Sequence, residues 1–138
     1  MKLERSINLA VMVHQGQVDK GGEPYILHPL RVMLSMKTLE GQIVGVLHDT
    51  IEDRPKFTLD SLVKTEDVSD EIRDALDAIT RGSQESYDDY ITRVSENPLA
   101  REVKIADLRD NLHCNRVRNI PQRLSARYIK ALARLLHG

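Results

Sequence analysis

The sequence predicts an all-α protein, folded as a single helical bundle. Three observations predict it. Apolar residues recur at three- and four-residue steps nearly throughout, no segment shows a convincing two-residue alternation, and 138 residues is close to the common size of one domain. Apolar residues make up 41% of the chain against 30% charged, enough to bury a core. With one Phe, four Tyr and no Trp, that core must be built mostly from Leu, Ile, Val, Ala and Met. Neither an internal repeat nor a low-complexity segment interrupts the pattern.

The first helix spans roughly 2–15, on the stripe Leu3, Ile7, Ala10, Val11 and His14. Gly-Gly-Glu-Pro at 21–24 marks a loop. Pro29, directly after His28, suits the first position of a helix over roughly 29–38. A third helix, roughly 41–52, carries His48, Asp49 and Glu52 and stops before Arg54-Pro55. Thr58 reads as the N-cap of a short helix over roughly 59–64, and Ser69 caps one over roughly 69–80 on the stripe Ile72, Ala75, Leu76 and Ile79. Arg81-Gly82-Ser83 and Asn97-Pro98 bound a helix over roughly 86–95. Two longer helices follow, roughly 98–116 and 121–136, the last on Leu124, Tyr128, Ala131, Leu132 and Leu135.

The net charge of −1 argues against a general nucleic-acid binder. The charges are unevenly placed: acids prevail from Asp49 to Asp74, and bases prevail from Arg101 onward. That basic third could offset carboxylates around a metal and attract a phosphorylated ligand, although solvated helix faces account for most of its side chains. A single cysteine, Cys114, cannot form an internal disulfide and points to a reducing cytoplasm. Glu4, Asn8 and His14 interrupt the start of the chain, and no segment approaches membrane-spanning length, so a soluble, cytoplasmic protein without membrane partners is expected. The oligomeric state is not written in the sequence.

Four residues suggest chemistry: His28, the pair His48-Asp49 and Asp107. Two imidazoles and two carboxylates make a mixed nitrogen and oxygen set that suits Mn, Fe, Zn or a similar divalent ion. His48 and Asp49 share the string HDTIED with Glu52 and Asp53, one helical turn further on, where a water-activating base would be needed. Three acids so close at a helix end would repel one another, and a bound cation compensates. Lys104, Asp107 and Asn111 fall on one helical stripe, apart from an apolar stripe of Ile105, Leu108 and Leu112 expected to pack inward. A His-Asp dipeptide alone is a weak signal; the set with HDxxED and ADxxxN is a strong one.

Four segments, HQGQVDKGGEPYILHPLRV at 14–32, VLHDTIED at 46–53, ITRGSQESYDDYI at 79–91 and VKIADLRDN at 103–111, together resemble the HD hydrolase domain. The resemblance covers roughly residues 1–135, and it is to the RelA/SpoT-type hydrolases and their stand-alone form, the small alarmone hydrolases. It implies an HD-type helical bundle occupying 1–138, one Mn²⁺, and hydrolysis of the 3′-pyrophosphate of (p)ppGpp to GDP or GTP and pyrophosphate. It implies His28, His48, Asp49 and Asp107 as metal ligands, Glu52 and Asp53 as the pair that positions and deprotonates water, and Asn111 as a nucleotide contact. Since the synthetase half of bifunctional relatives has no counterpart here, no alarmone synthesis is expected.

Charge then assigns further roles around the nucleotide substrate. Lys20, Arg81 and Lys104 would balance charge building on the phosphates, and Tyr25 and Tyr87 would line a nucleoside pocket or pack in the core. Asp19 departs from the family, in which an Arg before Lys20 is expected. An anion beside a polyanionic substrate opens the specificity to an adenine alarmone or an NADPH-like nucleotide. A non-catalytic nucleotide sensor is the alternative of another class, disfavoured by the intact Glu52-Asp53. His14, on the apolar stripe, reads as a buried structural histidine. His113, off the Asp107 face, His137, at the chain's end, and Cys114, in a packing role, carry no chemistry.

Overall fold

In a computed structural model of the chain, residues 1–53, 57–113 and 121–138 are described, Glu52 and Asp53 by their backbone alone. The described residues form nine helices and no strand longer than the isolated bridge between Val18 and Pro24. In chain order these are α1 (Leu3–His14), α2 (Leu27–Leu34), α3 (Leu39–Leu47), α4 (Thr50–Asp53), α5 (Leu59–Thr65), α6 (Asp70–Ile79), α7 (Tyr87–Ser95), α8 (Pro98–Asn111) and α9 (Gln122–His137). The all-α expectation holds. None of the described helices is long and apolar enough to cross a membrane.

Caps explain most helix starts. Thr38, Thr58, Ser69, Ser86 and Asn97 each accept a hydrogen bond from the backbone N–H three residues on, and Pro98 follows Asn97 at the first turn of α8, where its missing N–H costs nothing.

α3 is the central element, with Ile43, Val44, Val46 and Leu47 all buried. It packs against α1, α2, α6 and α8, and α8 in turn packs against α2, α6, α7 and α9. α2 and α3 approach closely at Gly45, where an added Cβ would lie 3.2 Å from the Met33 Cα. Ala100, Val103 and Leu108 of α8 close the core from the other side, joined by Ile72, Leu76 and Ile79 of α6.

Three expectations are corrected. The predicted helix over 41–52 starts earlier and breaks: α3 ends at Leu47, His48 and Asp49 form a turn, and α4 begins at Thr50. At the break His48 Nδ1 donates to Gly45 O at 2.6 Å and Thr50 Oγ1 to Leu47 O at 2.7 Å, so side chains take carbonyls that a continuous helix would use. Pro29 is not the first residue of its helix, because α2 already begins at Leu27 and contains His28. On α8 the inward line is Ala100, Val103, Asp107 and Leu108, whereas Ile105 and Leu112 are only half-buried. α8 stops at Asn111; Cys114 and the predicted helical residues 114–116 lie outside the described residues, as does Arg54-Pro55.

Candidate metal centre

Three parts of the bundle bring four side chains together. His28 comes from the first turn of α2, His48 and Asp49 from the turn between α3 and α4, and Asp107 from the middle of α8. One ligand atom from each lies within 4.8 Å of every other. His28 Nε2 is 2.8 Å from Asp107 Oδ1 and 3.5 Å from Asp49 Oδ2; His48 Nε2 is 3.2 and 3.1 Å from the same two oxygens.

The far sides of both rings are already engaged. Gly45 O can only accept, so His48 Nδ1 carries a proton and Nε2 turns its lone pair toward the two carboxylates. His28 Nδ1 lies 2.6 Å from Asp110 Oδ2, and Asp110 also binds the Arg31 guanidinium at 2.7 and 3.1 Å. Lone pairs facing carboxylate oxygens at such distances need something positive between them: either a second proton on each ring or a cation. Three carboxylates, Asp49, Asp107 and Asp110, against Lys104 and Arg31 leave one negative charge in excess with both rings neutral. A divalent ion supplies the same charge as two extra protons, and the donor set therefore fits one.

The electrostatics without an ion point the same way. Burial works against the charged form of each imidazole, but hydrogen bonds to Asp107 and Asp110 raise the His28 pKa, and the charges of Asp49 and Asp107 raise that of His48 further. Burial likewise opposes ionisation of the carboxyls. Lys104 and His48 nevertheless hold Asp107 well below the usual range, His48 does the same for Asp49, and His28 with Arg31 depresses Asp110. Lys104 Nζ donates to Asp107 Oδ2 at 2.8 Å, and Asn111 Nδ2 reaches Asp107 Oδ1 at 3.4 Å. Tyr25 donates its hydroxyl to Asp49 Oδ2 at 2.5 Å.

The cluster opens into a cleft of about 420 Å³. Lys20, Tyr25, Arg81, Tyr87, Lys104 and Asn111, all anticipated from the sequence, line it. The Arg127 guanidinium stacks 3.6 Å from the centre of the Tyr87 ring, and Arg81 lies 5.6 Å from it on the same ring. The side chains of Glu52 and Asp53 lie outside the described residues; their backbone closes α4, directly after the His48-Asp49 turn. Asp19 turns its carboxylate on its own loop, accepting from the Gly21 and Glu23 N–H groups at 2.9 and 3.0 Å. His14 is buried as expected, bonded to Gln17 Oε1 at 2.8 Å and packed on Tyr25, while His113 and His137 are exposed.

Sequence reasoning missed Asp110, the Gly45 carbonyl and Arg127, as well as Tyr128, which also lines the cleft. Asp110 had a signal, since it stands three residues after Asp107 and shares its helix face. The Gly45 carbonyl lies only three residues before His48, but a backbone oxygen leaves no mark in the sequence; Arg127 stood in the basic C-terminal third without a place, and Tyr128 comes from a distant helix.

No protein-family model matches the chain. The chain is similar to a probable GTP pyrophosphokinase of Mycobacterium leprae, 31% identical over 127 residues, which cover 83% of this chain and 16% of that protein. It is 30% identical over 123 residues to a guanosine-3′,5′-bis(diphosphate) 3′-pyrophosphohydrolase of Aquifex aeolicus, covering 80% of this chain and 17% of that one. A protein with the same hydrolase name from Borreliella burgdorferi is 33% identical over 81 residues, 56% of this chain and 12% of its own length. The chain thus spans about a sixth or less of the length of these relatives.

Proposed function

We propose that this chain, whose homologues are enzymes of the RelA/SpoT family, is a metal-dependent phosphohydrolase domain over residues 1–138 that releases pyrophosphate from the 3′ position of guanosine-3′,5′-bis(diphosphate). The observation that carries this reading is the convergence of His28, His48, Asp49 and Asp107, two of which, Asp49 and Asp107, line a cleft that also holds Lys20, Arg81, Lys104 and Arg127. His28, His48, Asp49 and Asp107 would hold one ion, Mn²⁺ in this reading, and the bound ion would supply Lewis-acid charge to the phosphoryl group under attack.

The chain's own residues do the rest. Glu52 and Asp53, at the end of α4, position the attacking water and accept its proton as oxygen bonds to the phosphorus that carries O3′. The O3′–P bond breaks, O3′ takes up a proton, and pyrophosphate leaves. Lys20 and Arg81 balance the charge gathered on the phosphate oxygens. Lys104 acts closer in, since its ammonium is tied to Asp107 and keeps that carboxylate ionised and oriented. Tyr25 steers Asp49 through its hydroxyl, Tyr87 offers its face to the nucleoside, and Asn111 contacts the nucleotide from the rim of the cleft.

Asp19 supports a second reading of the substrate. Where related hydrolases are expected to carry a phosphate-facing Arg, this chain has a carboxylate bound to its own loop, which fits an adenine alarmone or an NADPH-like nucleotide. One assay separates the two: phosphate and pyrophosphate release from ppGpp, ppApp and NADPH with Mn²⁺, for the wild type and Asp53→Ala. Pyrophosphate from ppGpp, abolished in the variant, is the expected result. Turnover of another nucleotide alone moves the assignment to the second reading, and tight binding without turnover overturns both.

A further inference from the structure

The surface between α7 and α9 carries a charge imbalance that the metal centre does not use. Arg123, Arg127, Lys130 and Arg134 follow one another at steps of four, three and four residues, forming one stripe along α9. They line a groove of about 710 Å³ in which Asp88 is the one carboxylate among the described lining residues. The whole chain has a net charge of −1, so this concentration of cations does not come from composition. Like charges one turn apart weaken a helix, and among the described residues no carboxylate pairs with any of the four.

The four cations are differently held. Arg134 reaches across the groove to Asp88 O and Thr92 Oγ1 on α7. Arg127 lies on the Tyr87 ring, with its Nε buried and lacking a hydrogen-bond partner. Arg123 and Lys130 are exposed and flank Arg127 on either side, where long arms can close on a ligand. Ile91, Ala126 and Ala131 give the groove an apolar floor. Tyr87 and Arg127 line both this groove and the metal cleft, so they form a partition between the two.

We propose that this groove is a second anion site, which takes a diphosphate group, free or carried by a nucleoside. Arg123 and Lys130 stand seven residues apart, about 10 Å along the helix. That span is too long for one phosphate, whereas a diphosphate offers oxygens at two centres that the two flexible side chains can meet by leaning inward, with Arg127 between them. The site is independent of whether the metal cleft hydrolyses anything.

Calorimetric titration of inorganic pyrophosphate and of GDP into the full chain, with chelator present to keep metal away from the cleft, tests this directly. The paired substitution Arg123→Gln and Lys130→Gln weakens binding at least tenfold, while Lys64→Gln, exposed on α5 away from both sites, changes it less than twofold. The conservative pair Arg123→Lys and Lys130→Arg retains affinity, which separates loss of charge from a disturbed helix. GDP binding tighter than pyrophosphate identifies a nucleoside-borne diphosphate seated on the apolar floor. GDP binding no tighter identifies the free ion. Wild-type affinity in the Gln pair, an equal loss through Lys64→Gln, or no binding by the wild type at millimolar anion overturns the proposal.

Discussion

Asp110 serves two partners at once, the His28 imidazole at 2.6 Å and the Arg31 guanidinium at 2.7 and 3.1 Å. A histidine that offers Nε2 to an ion needs its other nitrogen fixed, or the ring swings and loses basicity. Asp110→Ala should therefore weaken Mn²⁺ binding by roughly 10- to 100-fold without touching a ligand, read by calorimetric metal titration. Unchanged affinity would mean that Asp110 only decorates the rim. Lys104 poses the converse case. It is the ammonium that keeps Asp107 ionised in a nearly buried position, the two side chains being 12% and 5% exposed. Lys104→Met strands that carboxylate, and breaking a buried pair from one side costs about 3–5 kcal/mol. A divalent ion offers Asp107 a replacement positive partner, so the loss measured by urea unfolding should shrink when Mn²⁺ is added. Equal losses with and without metal would separate Asp107 from the ion.

Among the elements, the junction between α6 and α7 shows how the cleft wall is kept in place. Arg93 grips Glu85 with two hydrogen bonds at 2.8 and 2.9 Å and also donates to the carbonyls of Asp77 and Thr80, while Gly82 N donates to Glu85 Oε1. This clamp folds the loop that carries Arg81 and delivers Tyr87 to the cleft. The Arg93 and Gly82 bonds hold the Glu85 pKa down, from 4.5 to about 2. A carboxyl with a depressed folded pKa contributes stability that is complete above its unfolded value and disappears as pH falls toward the folded one. Between pH 4.5 and 2 the wild type should therefore lose stability more steeply than Glu85→Gln, whose side chain does not titrate; parallel urea midpoints across that window would dismiss the clamp. Elements were otherwise legible to the degree that their signals are local. Thr58, Ser69 and the apolar stripes are read within a few residues, and they landed within a residue or so of the observed ends. The break after Leu47 was not legible, because it rests on His48 and Thr50 bonding back to carbonyls, an arrangement the apolar periodicity of the helix does not reveal.

At the scale of the whole molecule, the four candidate ligands could be read from the chain because they occur together with the strings HDxxED and ADxxxN, although each alone is a weak signal. Only part of their surroundings could be. Arg127 reaches the site only through the packing of α9 against α7 and α8, and the Gly45 carbonyl engages His48 only because the helix breaks after Leu47. Packing also makes metal binding a global event. The ligands come from α2, the α3–α4 turn and α8, elements that also meet in the core, so an ion held by all four stabilises the assembled bundle and has no comparable site in the unfolded chain. At a free Mn²⁺ concentration of 100 times the dissociation constant, that linkage is worth about 2.7 kcal/mol. For a chain of 138 residues this corresponds to a rise of roughly 9 °C in melting temperature. Calorimetric melting with Mn²⁺, then with excess EDTA, should show the rise and its reversal. His48→Ala, which removes one ligand, should abolish most of it. A melting temperature indifferent to Mn²⁺, Fe²⁺ and Zn²⁺ alike would mean that the His–Asp cluster holds protons and not a metal, and the hydrolase reading would fall with it.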